Sequence, residues 1–593
     1  MTATIGVRSA RLVVLGLVAF ALRAEAQATA TADAPALTGL IAQHPSELVP
    51  VLERYRNDRG ALERRYGVGY SAERRNRFRG FYSSWLGQLA VLDFSALSED
   101  GKIDYLLFNN HLRHQLARLS QEEGRARQMT MAPFADQLRG LEEARVRMDS
   151  MNAPAVARML ADVTRQIDSL RKALSAPAPA RDTTRATRIV AFRTVGMLND
   201  LKETLGRWYR FYSGYDPLFT WWVEAPYGKL SEGLAQYSKA LRENVVGVKE
   251  GEDDPIIGDP IGADALKAEL AAEMISSSPE ELVAIAEKEF AWCETELRKA
   301  AREMGFGDDW RAALEKVKGM YVEPGQQPAL IHQLALEAIE FVESRNLVTI
   351  PPMAREIWRM EMLSPEDQKV SPFFLGGEVI QVAYPTGAMG EDDKMMTLRG
   401  NNRYFARATV MHELIPGHHL QGYMTDRYQT QRQDFSTPFW TEGWALYWEM
   451  LLWDQGFART PEERIGMLFW RSHRAARIIF SLRFHLGTMT PQEAIDFLVN
   501  RVGHERANAT AEVRRSFNGS YPPLYQLAYM IGGLQFRALH RELVDSGQMT
   551  DRDFHDAILQ SGNMPVEMVR ARLRQLPLTR DYQASWRFYP GLR

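Results

Sequence analysis

Between Met411 and Gln421 the chain reads MHELIPGHHLQ, which puts His412, His418 and His419 within eight residues and Glu413 directly after the first of them. Imidazole nitrogens and a carboxylate suit an ion of borderline softness such as zinc. A hydrolytic zinc takes three protein ligands and keeps a fourth position for water. The usual helical arrangement is His-Glu-x-x-His, with two histidines one turn apart on one face. This chain departs from it, because Pro416 stands where the second histidine would fall. Proline cannot donate to the carbonyl one turn back, and it turns the preceding residue away from helical geometry. Gly417, next in the chain, can adopt a positive φ that other residues resist. A bulge or break is therefore predicted at 415–417, and two looped-out residues would bring His418 to where one turn normally delivers a ligand. In an unbroken helix His419 would share a face with His412 but lie roughly 10.5 Å along the axis, too far for one zinc with bonds of about 2.1 Å. His418 is the preferred second ligand and His419 the alternative.

The elements that must hold these residues are helical. Ser278-Pro279-Glu280-Glu281, Thr460-Pro461-Glu462-Glu463 and Thr490-Pro491-Gln492-Glu493 each supply a capping hydroxyl, a proline at the first helical position and a carboxylate at the third,. Residues 281–303, 461–486 and 525–545 carry apolar side chains at three- and four-residue spacing,. No series of alternating strands and no fixed-period repeat is evident. Phe373 to Ala383 (FFLGGEVIQVA) is the exception, a β-prone stretch that predicts a short strand or two near the histidines. The fold class expected is mainly α, with a short β element near the site. Leu174 to Thr187, rich in Ala, Pro and Thr, reads as an exposed connection,. It marks a linker over 174–188 and a candidate N-terminal lobe over 41–175.

Composition narrows the function. The 593 residues carry 72 basic and 75 acidic side chains, a net charge of −3, and nothing in that balance favours nucleic acid, which would want a basic face. Arg8 and Arg11 precede the apolar run Leu12 to Leu22, and Ala24-Glu25-Ala26 follows. That pattern reads as a signal peptide over 1–26, cut before Gln27. The run is about half of what a membrane span needs. A disordered mature N-terminus over 27–40 and a helical domain over 41–593 follow, in a protein exported to the periplasm or beyond and not stably inserted in a membrane. Cys293 is the single cysteine, which excludes disulfides within one chain and cysteine-rich zinc sites. Its helical context, EKEFAWCETELRKA, reads as packing,.

Taken with Thr441-Glu442-Gly443-Trp444-Ala445-Leu446-Tyr447 downstream, the His-Glu-x-x-Pro-Gly-His-His-x-Gln segment resembles the bacterial domain-of-unknown-function family numbered 885. That family is similar in turn to the helical zinc peptidases that include angiotensin-converting enzyme and thimet oligopeptidase. The resemblance implies a two-lobed, zincin-like helical body around a deep channel. It implies one Zn²⁺ per chain, with manganese or cobalt able to use the same donors. In those enzymes a glutamate on the next helix is the third ligand, and Glu442 lies 24 residues after His418. Glu413 is the implied general base. An aspartate four residues beyond the ligand glutamate often orients a histidine in the related enzymes. Here that position is Leu446, and Glu449 and Asp426 are the candidates to replace it. Tyr529, and after it Tyr525, match the hydroxyls that stabilise the oxyanion. His485 also resembles a substrate-touching position, with His419 a further candidate.

Arg514 and Arg515 offer bidentate forks for a peptide's terminal carboxylate. The expected function is hydrolysis of short peptides, of carboxypeptidase or oligopeptidase type. Two other readings use the same donors: a zinc amidohydrolase acting on a cell-wall or other non-protein amide, and a catalytically silent peptide-binding protein. A general base at Glu413 favours the hydrolytic readings, since a structural site needs none. Oligomeric state has no signature in the sequence.

Overall fold

The computed structural model describes residues 46–175, 184–249, 254–368, 371 and 373–590. The expected signal peptide and mature N-terminus lie outside these residues, as does most of the 174–188 linker. The fold is mainly α. Among the described residues no helix is long and apolar enough to cross a membrane.

The helices that build the site follow one another in the C-terminal half. Helix α1 spans Gln327–Ser344. Strand β1 (Arg359–Met362) pairs in parallel with β2 (Val379–Val382), Arg359 opposite Val379 and Met362 opposite Val382. Then come α2 (Arg403–Glu413), α3 (His418–Thr425), α4 (Pro438–Asp454), α5 (Pro461–His485), α6 (Arg506–Phe517) and α7 (Tyr525–Leu543). All three capping signals in the sequence work as expected: Ser278, Thr460 and Thr490 each accept from the third helical N–H, and the glutamate there reaches back to the cap. The expected strand at 373–383 condenses to β2, with Leu375 bridging Gln381 in the antiparallel sense beside it.

Burial explains the arrangement. Helix α5 is buried on nearly every face from Ile465 to Leu482, so it is the central rod against which α2 and α7 pack. Helices α4 and α7 approach most closely at Gly443 and Gly532. A Cβ on Gly532 would lie 2.0 Å from the Phe439 carbonyl oxygen, and one on Gly443 would lie 2.6 Å from the Gly532 backbone. Ile380 and Val382 point from β2 into a small core with Leu334, Ala406, Val410 and Leu414, which lays the sheet on α1 and α2. Away from the site, one apolar core draws on residues from Met129 to Ile257 on both sides of 176–183. Residues 48–119 join the larger core with the C-terminal half. The cores thus group the helices differently from a lobe ending at 175.

Candidate metal centre

Asn402 starts α2 by accepting from the N–H groups of Tyr404 and Phe405. The helix ends at Glu413, and Leu414 turns out of helical geometry with φ −107° and ψ −110°. The Ile415–Pro416 bond is cis. Gly417 N–H then donates to Met411 O at 3.1 Å and His419 N–H to Leu414 O at 3.1 Å, so α3 restarts tightly against the end of α2. The break falls where Pro416 placed it, but glycine is needed there for another reason than expected. Gly417 has φ −78°, outside the left-handed region. Its Cβ would lie 1.8 Å from the His412 carbonyl oxygen, so only glycine lets the chain fold back this closely.

The break sends the two neighbouring histidines in different directions. His419 bonds through Nε2 to Ala354 O at 2.6 Å and does not join the cluster. His418 turns inward, and its Nε2 stands 3.2 Å from Glu442 Oε2, with His412 Nε2 at 3.5 Å from the same oxygen. The donor atoms of these three residues lie within 4.8 Å of one another. Tetrahedral coordination with bonds of about 2.1 Å would put donor atoms roughly 3.4 Å apart, so the spacing fits a single small cation.

Partners on the far sides fix which ring nitrogens face inward. Gln421 spends its amide N–H groups on the Trp440 and Thr441 carbonyls, each at 3.2 Å. Its oxygen is left to accept from His418 Nδ1 at 3.3 Å. His412 Nδ1 donates to Glu449 Oε1 at 2.7 Å. Both Nε2 lone pairs then converge on the Glu442 carboxylate, and either a cation or a proton must lie between them. Without a cation the protons win: burial pushes the His412 imidazole down, but Glu442 and Glu449 outweigh it and hold its pKa at about 9. Glu442 sits well below the usual carboxylate range, because the two imidazoles overcome the cost of its burial. Tyr525 completes the shell by donating its hydroxyl to Glu442 Oε1.

Glu413 lies beside the cluster, and burial, reinforced by the charge of Glu442, pushes its pKa up. The loop after Phe374 closes over it. A Cβ on Gly376 would meet Glu413 Oε2 at 2.1 Å, and Gly377 N–H donates to the Glu413 carbonyl at 3.3 Å. The cluster opens into a cavity of about 430 Å³, a size that holds a small ligand. Of the residues singled out from sequence, His412, Glu413, His418, Glu442, Tyr525, Tyr529 and Arg515 all line this cavity, with Asp426 at its wall. The Tyr529 ring stacks 6.0 Å from that of His412.

Three candidates fall outside. His419 is held by Ala354 as above. His485 ends α5, packed against the Phe484 ring, with burial lowering its pKa to about 4. It does not line the cavity, and the charges that act on its ring are those of Asp259 and Arg125. Arg514 donates to Asp254 O at 2.8 Å, outside the cavity. Of the two candidates to orient a histidine, Glu449 makes the bond to His412. It lies seven residues after Glu442, two turns along the same face of α4.

Residues the sequence reading missed are Arg474, Arg477 and Glu512. Arg477 Nε donates to Glu512 at 2.7 Å, and Arg474 Nη2 stands 3.5 Å from Glu449. Their signal was present as arginines at 471, 474 and 477, three apart within an otherwise apolar helical segment. Such side chains are buried and must find partners.

Two solved structures resemble the chain over nearly its whole length. One is a protein from Shewanella oneidensis described as a "putative lipoprotein of unknown function", 16% identical, covering 88% of this chain and 98% of that one with a TM-score of 0.62. The other, from Colwellia psychrerythraea and described as a "putative lipoprotein", is 15% identical, covering 89% and 97% with a TM-score of 0.56. At these identities the likeness establishes the fold. No curated protein matches the chain. The family model for bacterial proteins of unknown function, DUF885, matches residues 50–573, and the chain belongs to that family.

Proposed function

We propose that this protein is an exported zinc-dependent peptidase that hydrolyses short peptides as a carboxypeptidase or oligopeptidase. One observation carries the reading: two imidazole Nε2 atoms and one carboxylate converge within 4.8 Å on the wall of a cavity, with a further carboxylate, Glu413, beside them. His412, His418 and Glu442 would hold the ion. When bound there, zinc would lower the pKa of a water to about 7 and polarise a carbonyl.

The chain's own residues supply the rest. Glu449 and Gln421 lock the imidazoles with their lone pairs inward. Glu413, in its buried place, takes the proton of the attacking water on its carboxylate and returns it to the leaving amine nitrogen. Burial pushes the Tyr529 hydroxyl up, so it stays protonated at neutral pH and can donate to an oxyanion. The stretch at 373–376 lies along the cavity, where a bound peptide can meet its main chain,. Export is supported by the N-terminal sequence and by the descriptions of the two structural neighbours as lipoproteins.

The test compares wild type with Glu413→Gln for metal content and for cleavage of a mixed short-peptide library. About one zinc per chain in both, with cleavage reduced on the order of 10² to 10⁴ in the variant, is the expected result. Absence of zinc from both proteins after reloading would overturn the ligand assignment, and zinc without cleavage by either would overturn the peptidase.

A further inference from the structure

Arg474, Arg477 and Arg515 all line the cavity, and each is more than nine-tenths buried. A guanidinium stays charged at any pH a protein meets, so burial of three of them calls for anions close by. Two carboxylates answer. Glu512 accepts from Arg477 Nε at 2.7 Å and lies 3.9 Å from Arg515 Nε. Glu449 lies 3.5 Å from Arg474 Nη2, but it already accepts the proton-bearing nitrogen of His412. Asp426, Glu413 and Glu442 share the cavity, yet none is within ion-pair distance of these arginines among the described residues, and Glu442 is taken up by the two histidines.

Three buried cations thus hold two carboxylates, one of them shared with an imidazole. Arg474 Nε, Arg477 Nη1 and Arg515 Nε are buried without a hydrogen-bond partner, three donors against one unpartnered acceptor on the two carboxylates, Glu512 Oε2, which lies 3.9 Å from Arg515 Nε. Arg515 is placed to reach a ligand. It donates through Nη2 to the Tyr521 hydroxyl at 2.8 Å, Tyr521 stacks on Tyr525 at 4.3 Å, and Tyr525 bonds Glu442. One tyrosine pair separates it from the His–His–Glu cluster. Arg474 also lies beside the cluster, its guanidinium 4.9 Å from the Tyr529 ring, which stacks on that of His412.

We propose that Arg515 and Arg474, backed by Arg477 and Glu512, form a carboxylate subsite, and that the substrate brings the missing anion as a peptide's free C-terminus or an acidic side chain. This rests on the peptidase reading for the bond that is cut, though not for the charge that is bound. The substrate class narrows to peptides carrying a carboxylate near the scissile bond.

The experiment measures equilibrium binding to full-length Glu413→Gln protein by calorimetry, so that cleavage does not intervene. Three probes separate the sources: Ala-Ala-Phe with a free carboxylate, its C-terminal amide, and Ala-Glu-Phe amide. The free acid is expected to bind on the order of 10- to 100-fold more tightly than its amide, the range of a hydrogen bond to a charged group. Tight binding of Ala-Glu-Phe amide as well would assign the subsite to a side-chain carboxylate. Adding Arg515→Met should erase the preference, and Arg515→Lys, which keeps the charge and the packing of the stem, should retain part of it and serves where the methionine variant does not fold. Equal binding of all three probes, or binding of none, would overturn the inference. Selective binding of the acid by a wild-type protein that cleaves no peptide would leave the carboxylate subsite standing and sink the peptidase. Cleavage of acid and amide alike would do the reverse.

Discussion

At the residue scale, Glu449 decides whether His412 can present a lone pair. Its carboxylate takes the Nδ1 proton at 2.7 Å in a buried setting, which fixes both the tautomer and the plane of the ring. Glu449→Gln keeps the shape but offers a neutral acceptor or, flipped, a donor that would repel Nδ1–H. Zinc affinity in this variant is expected to fall on the order of 10- to 100-fold, the usual effect of losing such a partner. Competition with a chromophoric chelator would measure it. The same change takes the nearby carboxylate from buried Arg474, which costs stability, so urea unfolding is measured alongside to separate that loss from the loss of affinity. Unchanged affinity would show that His412 is oriented by packing alone. Only part of this is legible in the chain order. Glu449 stands two turns beyond Glu442 and so could be placed on the same face, but nothing in the chain order tells which buried carboxylate meets which imidazole. The arginines of α5 were harder still: their partners Glu449 and Glu512 lie 25 and 35 residues away on other helices.

Elements bring these residues to one point through two close approaches that only glycine permits. One is Gly417 against the end of α2, and the other is the crossing of α4 and α7 at Gly443 and Gly532. The crossing matters because Glu442 and Tyr525 ride on those two helices and meet only if the backbones nearly touch. Gly532→Ala would drive a Cβ to 2.0 Å from the Phe439 carbonyl oxygen, and the helices must part. A loss of roughly 1 to 3 kcal/mol is expected for such overpacking, together with weaker metal binding. Gly196→Ala is the control, since that glycine lies inside a helix with nothing within 4 Å of its Cβ position. It should gain up to about 1 kcal/mol. Chemical denaturation of both variants would check the pair, and equal stability would mean that the crossing tolerates a methyl group. Helix starts such as Thr460-Pro461-Glu462-Glu463 could be read directly from sequence because capping is local. The same holds for the break at Pro416. The reason for Gly417 could not, because the carbonyl it approaches is set by how α3 folds back.

Across the whole molecule, buried neutral histidines make stability depend on pH well outside the metal centre. Burial pushes His485 and His111 down to about 4 and His504 to about 3, and His555 moves the same way. The unfolded chain has each near its ordinary value of about 6.5. Between the two values the unfolded state binds more protons than the folded one, so stability rises with pH. The contribution is fully present above pH 6.5 and is lost as the pH falls toward 4. His485 isolates the effect, because it sits at the end of α5 away from the metal donors and its Nδ1 has no partner. Replacing it with asparagine removes its share of the acid sensitivity. Wild type should therefore lose stability relative to His485→Asn by up to about 2 kcal/mol between pH 6.5 and pH 5, at 1.36 kcal/mol for each pH unit. Urea unfolding of both proteins across that range reads the difference directly. A gap that stays constant with pH would mean His485 is solvated enough to protonate in the folded state. A gap that widens in favour of wild type as the pH falls would mean that Asp259, which pulls the imidazole toward its charged form, outweighs burial.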